Sequence, residues 1–185
     1  TLGPTTVIFT DKTGTLTNNR MKVARLELSS ESLELDRKYA ADLHWPQLPQ
    51  HILKIGVLCN NASLDKKKGS GVGDPLEIAL LEAGTALKIN RNELLERRPE
   101  VREEAFSTET RMMATFHKEG QRYLVAVKGA PEAVLEACTS LALEKGEEKL
   151  TKEKRDEWRK RNEEMAKAGL RVLALACKKA DTEKA

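Results

Sequence analysis

Residues 101–131 read VREEAFSTETRMMATFHKEGQRYLVAVKGAP, and this segment indicates the fold most clearly. Runs of β-branched, aromatic and other apolar residues are typical of strands. They predict three of them, at Val101–Phe106, Arg111–His117 and Arg122–Lys128. Gly120 lies between the last two and predicts a hairpin turn. The segment therefore predicts neighbouring antiparallel strands, followed by a helix that starts at Gly129-Ala130-Pro131 and runs through Cys138.

The flanking sequence alternates between helical and strand patterns. The motif Asp74-Pro75-Leu76-Glu77 predicts a helix start, because Asp is a good N-cap and Pro fits the first turn. Further helices are predicted at Gln50–Ala62, Asn90–Arg98 and, as a charged surface helix, Glu144–Glu163. Further strands are predicted at Thr5–Thr10, Met21–Leu28 and Leu170–Cys177. Loops are predicted at Ser63–Gly73 and at Ser29–Pro49, where a helical turn is an alternative for part of the segment. Long antiparallel strands with helices between them predict an α+β fold rather than a doubly wound parallel sheet.

The composition excludes several classes of protein. The chain has 185 residues, 39% of them apolar and 33% charged, with a net charge of +3. The sequence contains no run of 18 apolar residues, so it predicts no membrane-spanning helix. Its basic and acidic residues are nearly balanced, so the charge gives no sign of a nucleic-acid-binding surface. The three cysteines form no CxxC pair, which disfavours a disulfide framework. The three histidines have no ligand spacing, so we expect surface positions for His44, His51 and His117. The N-terminus has neither a signal peptide nor an initiator Met, which suggests an excised piece of a longer protein.

The sequence Asp11-Lys12-Thr13-Gly14-Thr15 follows directly on the first predicted strand. Reactive groups of open α/β sheets lie at such carboxyl ends, and an Asp carboxylate there can attack a phosphoryl group. Gly14 allows close backbone approach to a phosphate. Lys12, Thr13 and Thr15 offer positive charge and hydroxyl groups. An ordinary Asp/Gly turn is the alternative, and it would be preferred for the DxxG pattern alone.

The complete string DKTGTLT, at residues 11–17, resembles the phosphorylation signature of the P-type ATPases at all seven positions. This resemblance implies that Asp11 is the phosphorylated nucleophile and that Asp11 and Thr13 contribute to a Mg²⁺ site. It also implies that Thr15 lies near the transferred phosphoryl group. Lys12, Thr13, Gly14 and Thr15 would then form the phosphate loop.

Four further stretches resemble elements of that family's nucleotide-binding domain. GDPLEIAL at residues 73–80 implies that Glu77 lies near the adenine amino group. On spacing alone, Glu77 instead completes a capping box with the amide of Asp74. The stretch FSTETRMM at 106–113 implies that Phe106 stacks on adenine, with Arg111 standing where many relatives have Lys. KGAPE at 128–132 implies nucleotide contacts at Lys128 and Gly129, and GLR at 169–171 implies a phosphate contact at Arg171.

The resemblance also implies a domain organisation. Residues 1–20 are expected to be the first strand and loop of a Rossmann-like phosphorylation domain. Residues 21–180 would form a nucleotide-binding domain with a twisted antiparallel sheet flanked by helices, and residues 181–185 a tail. The pocket motifs resemble the branch of calcium, sodium/potassium and proton/potassium pumps, and the short loop at 63–73 suggests a calcium-pump-like member.

The function predicted from these motifs is ATP binding in the cytoplasmic part of a cation pump, an integral membrane protein. The expected partners are ATP and the remaining phosphorylation, actuator and transmembrane domains, with Mg²⁺ acting in the intact pump. We expect the isolated chain to be a soluble monomer that binds no nucleic acid and has no significant turnover. Two alternatives stay open, a stand-alone hydrolase of the haloacid-dehalogenase type and a regulatory adenine-nucleotide sensor.

Overall fold

The computed structural model describes residues 20–35, 45–65 and 70–183. The predicted strand at Thr5–Thr10 and the whole DKTGTLT loop lie outside these residues, as does His44. The elements, in chain order, are β1 Arg25–Glu27, β2 Ser32–Glu34, α1 Gln47–Leu58, β3 Ser63–Asp65, β4 Ser70–Val72, α2 Pro75–Ala86, α3 Arg91–Arg97, β5 Glu100–Glu104, β6 Met112–Glu119, β7 Arg122–Gly129, α4 Pro131–Ala137, β8 Ser140–Ala142, β9 Glu147–Lys149, α5 Lys152–Lys167 and β10 Ala174–Ala180.

A four-stranded antiparallel sheet forms the centre of the fold, with the strand order β10-β7-β6-β5. The predicted hairpin is confirmed, because β6 and β7 pair from Glu119↔Arg122 at the turn to Met112↔Gly129 at the far end. Gly120 has a φ of 65° in that turn, a conformation that glycine adopts without steric cost. The α+β prediction and the antiparallel pairing are thereby confirmed.

Helix α1 contributes to two of the apolar cores of the fold. One side of the helix contributes Ile55, Leu58 and Cys59, which pack on Met113 and Ala126 of the sheet. The other side packs toward α2 and β1, in a core with Leu53 and Val57. Because both faces of α1 are covered, its C-terminal end is buried where it meets the sheet.

Three short hairpins differ from the predicted loops and strands. β2 lies within the predicted loop 29–49 and pairs with β1, which is only three residues long. β3 and β4 pair within the predicted loop 63–73. β8 pairs with β9, which lies within the predicted helix Glu144–Glu163, so the helix begins only at Lys152. Strands of three residues are too short to show an alternating pattern, and they depend on contacts with distant residues such as the bond from Ser29 Oγ to Ala142 O at 2.8 Å.

The bounds of α1 and of the last strand also differ from the predicted bounds. α1 begins at Gln47, three residues before the predicted start, because Pro49 fits the first turn of a helix, where its missing N–H is not needed. It ends at Leu58 rather than Ala62. The last strand, β10, is shifted to Ala174–Ala180 from the predicted 170–177. None of the helices in the described ranges is long and apolar enough to cross a membrane.

The expected surface position of His117 is wrong, because its side chain is fully buried on β6. Its Nδ1 lies 3.3 Å from the carbonyl oxygen of Arg98, and its Nε2 lies 2.8 Å from Thr115 Oγ1. A neutral ring satisfies both contacts, with Nδ1–H donating to the carbonyl and Nε2 accepting from the hydroxyl. His51 is exposed, as expected.

Burial of His117 has a consequence for the pH dependence of stability. Burial lowers the pKa of His117 below 6.5, because the charged ring loses hydration. The unfolded chain therefore binds the proton more readily, and the free energy of unfolding decreases as the pH falls below 6.5 toward the folded-state pKa. We expect an NMR titration of the His117 ring to give a midpoint below that of the same residue in urea. Equal midpoints would contradict the buried neutral ring.

Candidate functional site

Four of the predicted site positions converge at one end of the central sheet. Phe106 follows the end of β5, Arg111 precedes β6, Gly129 ends β7 and Arg171 precedes β10. The strands are antiparallel, so these ends lie side by side, as the pairs Met112↔Gly129 and Ala174↔Gly129 show. This end of the sheet, opposite the Gly120 turn, is called the distal edge below.

Lys128 lies at the distal edge on the face of β7 that packs on α1. Lys128 pairs in the sheet with Met113 on β6 and with Leu175 on β10. Only 8% of its surface is exposed to solvent. Its Nζ donates a hydrogen bond to the carbonyl oxygen of Cys59 at 2.8 Å and forms an ion pair with Glu77. A buried ammonium with both a carboxylate and a carbonyl partner is held in one position.

Glu77 joins the site from the first turn of α2. One carboxylate oxygen contacts Lys128, and the other accepts a hydrogen bond from the backbone N–H of Asn61 at 3.1 Å. The expected capping box is therefore only half present. Asp74 caps the helix by accepting from the N–H of Leu76 at 2.8 Å, whereas both carboxylate oxygens of Glu77 are engaged by the ion pair and the loop after α1.

The loop after α1 holds the pair, although the sequence predicts its residues as the last turn of the helix Gln50–Ala62. The carbonyl of Cys59 and the N–H of Asn61 contact Lys128 and Glu77, respectively. Asn60 between them is fully buried. The available signal was a polar Asn directly after the apolar run ILKIGVLC at residues 52–59. Burial raises the pKa of the Cys59 thiol to about 11, so this thiol stays protonated and is no candidate nucleophile.

Phe106 is the aromatic side chain of the site, and it is 60% exposed. Phe116 on β6, by contrast, is 3% exposed and contributes to a core. The segment after Phe106 is shaped by Ser107, whose carbonyl accepts from the N–H of Arg111 at 2.7 Å. Its hydroxyl accepts from the N–H of Glu109 at 3.1 Å. A hydrogen-bonded turn thus leaves a large aromatic ring exposed to solvent, and such a flat face is able to stack on a base.

Gly129 permits a close approach of two strand ends. A Cβ at this position would lie 2.5 Å from the carbonyl oxygen of Arg111 and 2.7 Å from Met112 Cγ. The same carbonyl accepts a hydrogen bond from Ala130 N at 3.0 Å. Arg111 itself has a φ of 55°, which is uncommon for a residue other than glycine. The absence of a side chain at Gly129 therefore allows the strand ends beside Lys128 to approach this closely.

Replacing Gly129 by Ala should lower the free energy of unfolding by about 1–3 kcal/mol, the usual effect of forcing extra volume into a packed site. The added methyl group meets backbone rather than a flexible side chain, so the two strands have to separate. Urea denaturation followed by circular dichroism measures the change. An unchanged midpoint would show that the strand ends tolerate a Cβ.

Arg171 and Arg111 are both exposed at the distal edge, where they add positive charge to the end of the sheet that carries Phe106. Because Asp11, Lys12, Thr13, Gly14 and Thr15 lie outside the described residues, the structure does not relate them to this edge. Within the described ranges, no group of three or more His, Cys, Asp or Glu side chains is arranged to hold a metal ion. The geometry described here thus offers an aromatic face and positive charge, which suit an aromatic, anionic ligand.

Comparison with known proteins gives a consistent assignment. The family described as "P-type ATPase, cytoplasmic domain N" matches residues 49–185. A calcium-transporting ATPase of Listeria monocytogenes is 33% identical over 184 residues, which are 98% of this chain and 21% of that protein. A calcium-transporting ATPase of Lactococcus lactis is 36% identical over 96% of this chain and 20% of that protein. The sodium/potassium-transporting ATPase subunit alpha of Tetronarce californica is 31% identical over 100% of this chain and 19% of that protein.

The chain therefore spans about a fifth of the length of these relatives. The family match covers α2, the central sheet and the distal edge, so it includes the Glu77–Lys128 pair and Phe106. The fold, an antiparallel sheet flanked by helices, agrees with this assignment. The chain belongs to the P-type ATPase family and matches its cytoplasmic domain N.

Proposed function

We propose that this chain binds ATP at the distal edge, as the nucleotide-binding domain of a cation-transporting P-type ATPase. The observation that carries the proposal is the placement of an exposed Phe106 at the same edge as Lys128. The fold leaves a large aromatic ring uncovered at the same end of the sheet as a fixed ammonium group. This combination suits the base and the phosphates of a nucleotide.

The proposed roles follow from the chemistry of each side chain. The ring of Phe106 stacks on the adenine base, an interaction worth about 1–3 kcal/mol. Lys128 acts as a point charge toward the nucleotide, and Gly129 leaves room for it. Arg171 and Arg111 are exposed and add positive charge for the phosphates. Glu77 holds Lys128 and has further acceptor capacity for the adenine amino group, because each carboxylate oxygen carries two lone pairs.

In the intact pump, we propose that the domain delivers the γ-phosphate of ATP to Asp11. The carboxylate oxygen attacks the γ-phosphorus, the bond to the bridging oxygen breaks, and ADP leaves, so that an aspartyl-phosphate forms and drives ion transport. Asp11 and Thr13 would contribute oxygen ligands of the hard type that Mg²⁺ prefers, and the ion would supply charge neutralisation for the transferring phosphoryl group. Lys12, Gly14 and Thr15 complete the phosphate loop.

The same proposal places the chain within a larger membrane protein. Residues 1–20 would belong to the phosphorylation domain, residues 21–180 to the nucleotide-binding domain and residues 181–185 to a tail. The remaining phosphorylation, actuator and transmembrane domains would be its partners, and the chain would lie on the cytoplasmic side. The support is the family match to a cytoplasmic domain and the relatives named as cation-transporting ATPases.

Isothermal titration calorimetry of the chain with ATP tests the proposal. We expect saturable binding to one site, with ADP competing for it. Inorganic triphosphate serves as the matched ligand without a base, and we expect it to bind much more weakly. If triphosphate binds as well as ATP, the distal edge is only a patch of positive charge. If neither ligand binds at millimolar concentration, the proposed function is wrong.

We expect the chain to bind ATP without becoming labelled at Asp11. The groups that neutralise the transferring phosphoryl group belong, by the family resemblance, to the remainder of the phosphorylation domain. Loss of such preorganised charges raises a barrier by several kcal/mol, about 2.7–4 for a single donor. The measurement is incubation with γ-labelled ATP and Mg²⁺, followed by an acid quench that preserves acyl-phosphates.

The control for this experiment is the variant Asp11→Asn. Stoichiometric label that disappears in Asp11→Asn would favour the stand-alone hydrolase over the excised domain. Binding without label and without effect on any pump partner would favour the nucleotide sensor.

A further inference from the structure

Asn60 is a fully buried amide at the junction of α1, the following loop and α2. Its Nδ2 donates to the carbonyl oxygen of Glu77 at 2.9 Å and lies 3.4 Å from that of Gly56. Its Oδ1 accepts from the N–H of Ala62 at 2.9 Å. One side chain therefore links the end of α1, the loop and the first turn of α2. Buried polar groups with complete partners fix their surroundings in one arrangement.

The backbone on either side of Asn60 contacts both members of the ion pair. The carbonyl of Cys59 accepts from Lys128, and the N–H of Asn61 donates to Glu77. The carbonyl of Asn60 itself accepts from the guanidinium of Arg91. The Asn60 side chain and Arg91 thus restrain the three successive peptide groups between Cys59 and Ala62. The first two of these groups contact Lys128 and Glu77.

We propose that Asn60 is a positioning residue for the nucleotide site, and this inference rests on the proposed function. It acts through the loop, by aiming the Cys59 carbonyl at Lys128 and the Asn61 N–H at Glu77. Without the amide, the loop loses its bond to the Glu77 carbonyl. The peptide group between Cys59 and Asn60 then loses the restraint of the side chain, and the next peptide group keeps only its contact with Arg91. Lys128 then loses its neutral acceptor and its fixed position at the distal edge, and nucleotide affinity falls as a consequence.

The test compares Asn60→Ala with the control Gln121→Ala in the full chain. Gln121→Ala removes an exposed side-chain amide at the opposite end of the sheet, next to the Gly120 turn. We expect ATP affinity to fall about tenfold in Asn60→Ala, the size expected when buried hydrogen-bonding groups lose their partners, and to stay unchanged in Gln121→Ala. The second readout is the ¹⁵Nζ signal of Lys128 without nucleotide, which should broaden or disappear only in Asn60→Ala.

The two readouts separate a failure of this inference from a failure of the proposed function. If the wild-type chain binds no ATP, the function fails, and the Lys128 signal still tests the placement. If Asn60→Ala is folded and keeps both the Lys128 signal and the ATP affinity, Asn60 is not a positioning residue.

Two further measurements keep the test decisive if Asn60→Ala does not fold. Asn60→Asp keeps the shape of the side chain and the acceptor for Ala62, and we expect it to lose the Lys128 signal. In the wild type, the Asn60 side-chain amide signal should shift on ATP addition together with that of Lys128. A Lys128 signal that shifts while the Asn60 signal stays fixed would overturn the inference.

Discussion

Replacing Lys128 by Met lowers the free energy of unfolding by about 3–5 kcal/mol, because it leaves the Glu77 carboxylate buried without its partner. The two side chains are only 10% and 12% exposed, so water does not replace the lost ammonium group. Met fills a similar volume, which isolates the loss of charge. Urea denaturation monitored by circular dichroism gives the change.

Two further variants support the interpretation of this result. Lys118→Met, at an exposed position on the neighbouring strand β6, should change stability by no more than about 0.5 kcal/mol. Combining Lys128→Met with Glu77→Gln should recover part of the loss, because removing the second charge relieves the desolvation penalty. A loss of similar size in the single and the double variant would show that packing, and not the ion pair, is responsible.

Replacing Phe106 by Ala should weaken ATP binding by about 1–3 kcal/mol, the contribution of a stacked base. The ring is 60% exposed, so the free energy of unfolding should change little. Calorimetric titration of the variant measures the affinity. Phe106→Trp keeps a flat aromatic face and should retain most of it.

The matched control is Val101→Ala on β5, another exposed apolar residue, at 43% exposure. This change should leave ATP affinity unaffected. Equal losses in the two variants, or unchanged affinity in Phe106→Ala, would remove Phe106 from the site.

The long strands could be predicted because β6 and β7 contain runs of apolar and β-branched residues and a glycine separates the two strands. The helix start at Asp74 was equally clear, since its side chain makes the local bond that its position predicts. The hairpins β1–β2, β3–β4 and β8–β9 could not be predicted. Their strands have three residues each, so their pairing depends on tertiary contacts that override local propensity.

For the candidate site, the sequence predicted the residues but not the contacts that they make in the fold. Glu77, Phe106, Arg111, Lys128, Gly129 and Arg171 were selected by resemblance, and their convergence required the strand register. The partner of Lys128 on the loop is a backbone carbonyl, that of Cys59, and a carbonyl leaves no mark on the sequence. His117 was expected at the surface because a single His gives no sign of the Thr115 and Arg98 groups that satisfy it in the core.

The central claim, that ATP binds at the distal edge, is tested most directly by ¹H–¹⁵N NMR spectra recorded during an ATP titration. We predict that the backbone signals of Ser107, Arg111, Gly129 and Arg171 shift in a saturable way, together with the Lys128 side chain. Signals at the opposite end of the sheet, around Gly120, should stay in place. Shifts that cluster around Gly120, or that spread evenly over the chain, would contradict the account.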